Sequence, residues 1–142
     1  NMLVISKNQN FLKQIPEIEK NLFVNNSFTF EDIKKKSENN VFNFCFEINQ
    51  KNILLGYAIF INHLDFIEVE KMGIIKKSQR KGIGSKILNK IKTFDKRIII
   101  EVSNRDKTIE FYLKNDFKII NNRKKYYWDN SDAIVLEFNP NI

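Results

Sequence analysis

Of 142 residues only one is cysteine, one histidine, two proline and four glycine. A lone Cys45 cannot close an internal disulfide, which suits a reducing, cytoplasmic setting. Cys45 and His63, with no carboxylates at matched spacing, build no metal site. No apolar run approaches the roughly 18–20 residues of a membrane-spanning helix, so no such helix and no membrane partner are expected. The opening Asn1–Met2–Leu3–Val4–Ile5–Ser6 turns polar too soon for a signal peptide, and Asn1 ahead of Met2 reads as a cloning remnant. With no Pro/Gly/Ser linker, repeat or break in composition, residues 2–142 are expected to form a single domain. Zinc-finger spacing and an aromatic-plus-basic nucleic-acid signature are both missing, and direct nucleic-acid binding is not expected.

What the chain does have is apolar residues (42%) and basic charge, a net +7. That charge suits either simple solubility or an anionic ligand or partner, and does not choose between them. Leu3 to Ile5 reads as a strand. Pro16 suits a first helical turn, with Ile15, Ile18, Leu22 and Phe23 as its apolar stripe. Thr29 and Asp32 resemble a capping pair opening a helix to about Ser37. Phe42, Phe44, Phe46 and Ile48 alternate with Asn43, Cys45 and Glu47, the pattern of a strand with one face in the core. A turn at Asn49 to Asn52 leads into a partner strand, Ile53 to Ile61, and another strand runs from Phe66 to Ile74. Gly82 to Thr93 is helical, with Ile83, Ile87, Leu88 and Ile91 on one side. The β-branched run Arg97 to Val102 marks a buried strand. A helix from Asp106 to Asn115 and strands Lys118 to Tyr126 and Ala133 to Phe138 complete the order β-α-α-β-β-β-α-β-α-β-β. This is an α/β chain with a mixed sheet.

Gln79-Arg80-Lys81-Gly82-Ile83-Gly84-Ser85 stands between a strand and a helix. Two glycines two apart let successive backbone N–H groups meet one anion. The helix N-terminus adds partial positive charge, and Arg80 and Lys81 add full charges. Such a loop suits a pyrophosphate, although a lone G-x-G also marks ordinary tight turns. It lacks the Lys-Ser/Thr of a nucleotide-hydrolysing loop and the third glycine of a dinucleotide site. Gly73, inside a strand, points to a bulge or a close backbone approach.

Gln79-x-x-Gly82-x-Gly84 resembles the Q/R-x-x-G-x-G/A loop of the GNAT acetyltransferases. Met72-Gly73-Ile74 and Ile109-Glu110-Phe111-Tyr112-Leu113-Lys114-Asn115-Asp116-Phe117 resemble two further segments of that family, with Asp116 where a glycine is usual. Ile100-Glu101-Val102, Arg123-Lys124-Lys125-Tyr126-Tyr127 and Asp132-Ala133-Ile134 are similar to the RimI-type ribosomal-protein-alanine N-acetyltransferases. The likeness runs over about residues 53 to 138. It implies a mostly antiparallel sheet splayed at its fourth and fifth strands, flanked by about four helices, with acetyl-CoA as cosubstrate and no metal. It also implies that Gln79 to Ser85 cradle the CoA pyrophosphate and that Met72, Gly73 and Ile74 lie along the pantetheine arm. The interval from Glu101 to Tyr112 is one residue short of the family's spacing, so its CoA-contacting Asn falls on Asn104 or Arg105; Asn104 is taken. Asn25-Asn26-Ser27 replaces the Pro-Trp usual before the second helix, which leaves the acceptor open.

Acetyl transfer needs a deprotonated amine, a polarised carbonyl and a protonated leaving thiol. Glu101, at the end of an apolar strand, is the candidate base, and a carboxylate beside buried surface should be a stronger base than usual. The alternative is a structural ion pair. Tyr112 is the candidate acid, or else a core aromatic with a satisfied hydroxyl. Backbone N–H groups of Met72 to Ile74 suit polarising the carbonyl. Tyr126 and Tyr127 either wall the acceptor slot or pack a hairpin, while His63 reads as surface and Cys45 as structural. The expected function is acetylation of a protein N-terminus, possibly ribosomal. The alternatives are a small-molecule amine acceptor, a non-catalytic acyl-CoA-binding module and, more remotely, an RNA-binding surface.

Overall fold

In the computed structural model, which describes residues 1–142, strands β1 (Met2–Ile5), β2 (Phe42–Ile48), β3 (Leu54–Asn62) and β4 (Phe66–Ile74) precede β5 (Arg97–Ser103), β6 (Lys118–Arg123) and β7 (Ala133–Phe138). They build one seven-stranded sheet in the order β1-β2-β3-β4-β5-β7-β6. Every neighbouring pair is antiparallel except β4 and β5. Helices α1 (Gln9–Leu12), α2 (Ile15–Leu22) and α3 (Phe30–Glu38) cover one face. Helices α4 (Ile83–Lys92) and α5 (Ile109–Lys114) cover the other.

Local chemistry sets most of these limits. Thr29 caps α3 in a full capping box, its side chain accepting from the Asp32 N–H while Asp32 accepts from the Thr29 N–H. In the β2–β3 turn, Asn49 Oδ1 accepts from the Lys51 and Ile53 N–H groups. Ile87, Leu88 and Ile91 of α4 are sealed against Ile67, Ile98, Ile100 and Leu136. Phe44, Phe46, Tyr57 and Ile59 fill the opposite core with Ile15 and Ile33.

Three expectations change. Helix α1, four residues capped by Asn8, had no visible apolar period because one turn is too short to show one. The strand expected over Lys118 to Tyr126 ends at Arg123, where a turn leads through Lys125 at φ 48°. Strand β2 has both faces buried rather than one: Cys45 and Glu47 lie beneath the α4 side. Burial pushes the Cys45 thiol up to about 12.

The splay is visible in the register. Strands β4 and β5 pair only from Phe66↔Arg97 to Val69↔Ile100, and past that point they part. At the same place the β3–β4 ladder steps from Val69 to Lys71, leaving Glu70 as an extra, bulged residue. The opening and the bulge therefore coincide.

Candidate active site

The loop before α4 has the form an anion needs. Gly82 adopts φ +82° and Arg80 φ 62°, left-handed conformations that turn the chain tightly. None of the six backbone N–H groups from Arg80 to Ser85 donates to a protein acceptor; the first N–H engaged is that of Lys86, with Gly82 O at 3.0 Å. Neither Arg80 nor Lys81 makes an ion pair, and both are exposed. Six free donors beside two free cations, at a ten-residue helix N-terminus, fit a pyrophosphate.

The glycines and Gln79 divide the work differently from expectation. A Cβ on Gly82 would meet nothing within 4 Å, so Gly82 serves backbone conformation. A Cβ on Gly84 would lie 2.8 Å from Phe111 Cζ, so Gly84 lets α4 sit against α5. Gln79 Nε2 donates to Ile74 O at 2.9 Å, fastening the loop to the end of β4. Gly73 is a close approach and not the bulge: a Cβ there would lie 2.5 Å from Tyr57 Oη. Met72 and Ile74 pack toward the α4 core, and beyond Val69 this edge of β4 has no partner strand.

Glu101 follows Ile100, the last β5 residue paired with β4. Ile100 and Val102 enter the α4-side core, so strand alternation sends Glu101 to the other face. The burial expected for this carboxylate is limited. Its side chain is 32% exposed, and Arg123 Nη1 lies 3.6 Å from Oε2. Tyr127 is close by. Burial first, then the charges of Glu101, Tyr126 and Asp106, raise the pKa of its phenol.

Tyr112 sits in the core at 4% exposure, with Phe111 and Phe117 edge-on to its ring. Its hydroxyl makes no hydrogen bond to protein, which sets it apart from a core tyrosine with a satisfied phenol. Burial, with Asp106 second, holds that hydroxyl well above the ordinary tyrosine value. Asn104 is tied to the start of β7: its N–H donates to Asp132 O at 2.9 Å and its Oδ1 accepts from Asp132 N at 3.1 Å. Its Nδ2 donors remain for a ligand. Arg105 turns instead to Asp129, 3.5 Å away.

Residues 41–119, more than half of the sequence, match the Acetyltransferase (GNAT) domain family. The chain belongs to the GNAT acetyltransferases. It is therefore an acyltransferase, and its sheet, parallel pair and flanking helices are those of a GNAT fold. Solved GNAT structures share this fold. The Escherichia coli ribosomal-protein-S18-alanine N-acetyltransferase superposes with a TM-score of 0.80 at 18% identity, over 96% of this chain and 93% of that one. An aminoglycoside 6'-N-acetyltransferase complexed with coenzyme A gives 0.80 at 14%, over 94% and 95%. Arabidopsis thaliana NAA60 in complex with acetyl-CoA gives 0.79 at 11%, over 99% and 100%. No curated protein sequence matches the chain.

Sequence reasoning missed a polar cluster under β4. Glu19 is completely buried, accepts from the Tyr57 hydroxyl, and lies 2.7 Å from Lys71 Nζ. A signal existed: Glu19 stands four residues after Ile15, on the apolar stripe of α2, where a carboxylate needs partners.

Proposed function

We propose that this GNAT acyltransferase carries acetyl from acetyl-CoA to a primary amine, the N-terminal α-amine of a protein being the best-supported acceptor. The observation that carries the cosubstrate is the run of six unengaged N–H groups, Arg80 to Ser85, at the start of α4. Those donors, with Arg80 and Lys81, would hold the pyrophosphate, and the unpaired edge of β4 from Met72 to Ile74 would lie along the pantetheine arm. Acetyl-CoA, when bound, supplies an activated thioester carbonyl. Backbone groups of Met72 to Ile74 would polarise that carbonyl.

Glu101 would take the acceptor's proton, directly or through a water, because an α-amine with a reference pKa near ~8 is largely protonated at neutral pH. Tyr112 would give a proton to the departing sulfur. Its free hydroxyl argues against a non-catalytic acyl-CoA-binding module. The ending Arg123 to Tyr127 with Asp132-Ala133-Ile134 supports a ribosomal-protein-alanine acceptor, as does the likeness to the S18-alanine enzyme. A small-molecule amine is the second reading, since the aminoglycoside enzyme superposes equally well.

Mass spectrometry after incubation with acetyl-CoA decides between them, using an alanine-initiated peptide, spermidine and an aminoglycoside as acceptors. A 42-dalton gain (about the mass of one acetyl replacing a proton) on the peptide N-terminus is the expected result for an amine nucleophile. Acetylation of spermidine or the aminoglycoside alone moves the assignment to the second reading, and none at all overturns acetyl transfer.

A further inference from the structure

The buried cluster under β4 does more than satisfy its own charges. Glu19 Oε1 accepts from Lys71 Nζ at 2.7 Å and from the Phe28 N–H at 2.9 Å. Lys71 Nζ also donates to Asn26 O at 2.6 Å. The ammonium lies 4.1 Å from the centre of the Phe23 ring and 4.2 Å from that of Phe28. Every one of these loop contacts falls on the segment joining α2 to α3, residues 23 to 29. A second lysine also lies over the Phe28 ring: Lys36 Nζ is 4.7 Å from its centroid and 2.9 Å from Glu70 Oε1. The connection is thus fastened to two consecutive residues of β4, Glu70 and Lys71, that the bulge turns to the same face.

That face is the one Glu101 occupies. The free N–H groups lie in the loop before α4 and in its first turn, on the opposite side of the sheet; with Glu101 as the base of acetyl transfer, the cosubstrate would lie toward the α4 side and the amine would approach on the side of α2 and α3. Lys71 immediately precedes the Met72–Ile74 segment. One ammonium therefore ties the β4 residue that precedes Met72 to the 23–29 segment.

We propose that Lys71, through buried Glu19 and the Phe23 and Phe28 rings, is a positioning residue that fixes the 23–29 segment as the acceptor-side wall. It rests on the acetyl-transfer reading. Fixing the segment in advance removes an ordering cost from acceptor binding, so losing the clamp weakens acceptor binding more than cosubstrate binding.

The test is steady-state kinetics on whichever of the alanine-initiated peptide, spermidine or the aminoglycoside the unaltered protein acetylates. Lys71→Met leaves Glu19 buried without its cation and can prevent folding; Phe28→Leu keeps the ion pair and covers that case. Each folded variant should raise the acceptor KM about tenfold, leave the acetyl-CoA KM within about twofold and change kcat by no more than about threefold. A fall in kcat with both KM values unchanged is the mark of a smaller folded fraction and overturns the positioning role. Unchanged acceptor KM in both variants overturns it too. An unaltered protein that acetylates none of the three overturns the acetyl-transfer reading itself, a result distinct from either.

Discussion

At Tyr112 one oxygen atom separates two roles. The ring is locked between Phe111 and Phe117, and the hydroxyl bonds to nothing in the protein, so Tyr112→Phe removes no native contact. Thermal stability should therefore hold, while turnover at saturating acetyl-CoA should drop by about 10²-fold if the phenol protonates the leaving sulfur. A thiol with a reference pKa near ~8.5 leaves partly unaided as pH rises, so the deficit should be deepest at low pH. Full activity of the folded variant at pH about 6 would return Tyr112 to packing alone. Tyr112 and Glu101 were legible in the sequence as candidates, because their types and places follow a motif. What was not legible is their surroundings. Arg123 is adjacent to Glu101 only because β6 returns along β7, a pairing more than twenty residues away in the chain. Glu101→Gln should still lower turnover by about 10²-fold or more with CoA affinity unchanged, and retained turnover would leave it as the Arg123 partner.

At the scale of elements, the strand-to-helix loop was read correctly as a loop but not in its division of labour. Spacing of Gly82 and Gly84 gave the turn; it could not say that Gly84 answers to Phe111, one helix away. Two alanine substitutions separate these roles. Gly82→Ala adds a methyl that meets nothing but must adopt φ near +82°, at a strain of about 1–2 kcal/mol for an L residue. Relaxing that strain would pull the loop out of shape, so CoA binding in calorimetry should weaken while the fold persists. Gly84→Ala drives its methyl to 2.8 Å from Phe111 Cζ, and overpacking of this kind costs about 1–3 kcal/mol of stability. Its urea midpoint should fall accordingly. If Gly82→Ala binds CoA as the unaltered protein does, the left-handed turn is not what shapes the loop. The capping box of α3 was legible from Thr29 and Asp32, a signal contained in four residues, whereas α1 offered one turn and no period.

Over the whole molecule, the order of strands and the mixed sheet followed from alternation and from the β-branched run of β5. Burial on both faces of β2 did not, since it depends on α4 crossing above Cys45 and Glu47 from forty residues away. The same enclosure sets how the protein meets alkali. Tyr57 is held up by burial first and by the Glu19 carboxylate beside it, Tyr112 by burial and Asp106, and the Cys45 thiol reaches about 12. All three folded values lie above those of an unfolded chain, about 8.5 for cysteine and about 10 for tyrosine. The neutral forms are thus favoured in the fold. The stability they confer is complete below those unfolded values and is lost as pH rises past them, since the unfolded chain alone can release the protons. Urea midpoints should accordingly decline from about pH 9 upward, and the phenolate absorbance of two of the four tyrosines should rise only together with unfolding. The Cys45 thiol should resist alkylation until the same transition. Should all four tyrosines ionise while the near-ultraviolet dichroism stays native, Tyr57 and Tyr112 are not enclosed as described.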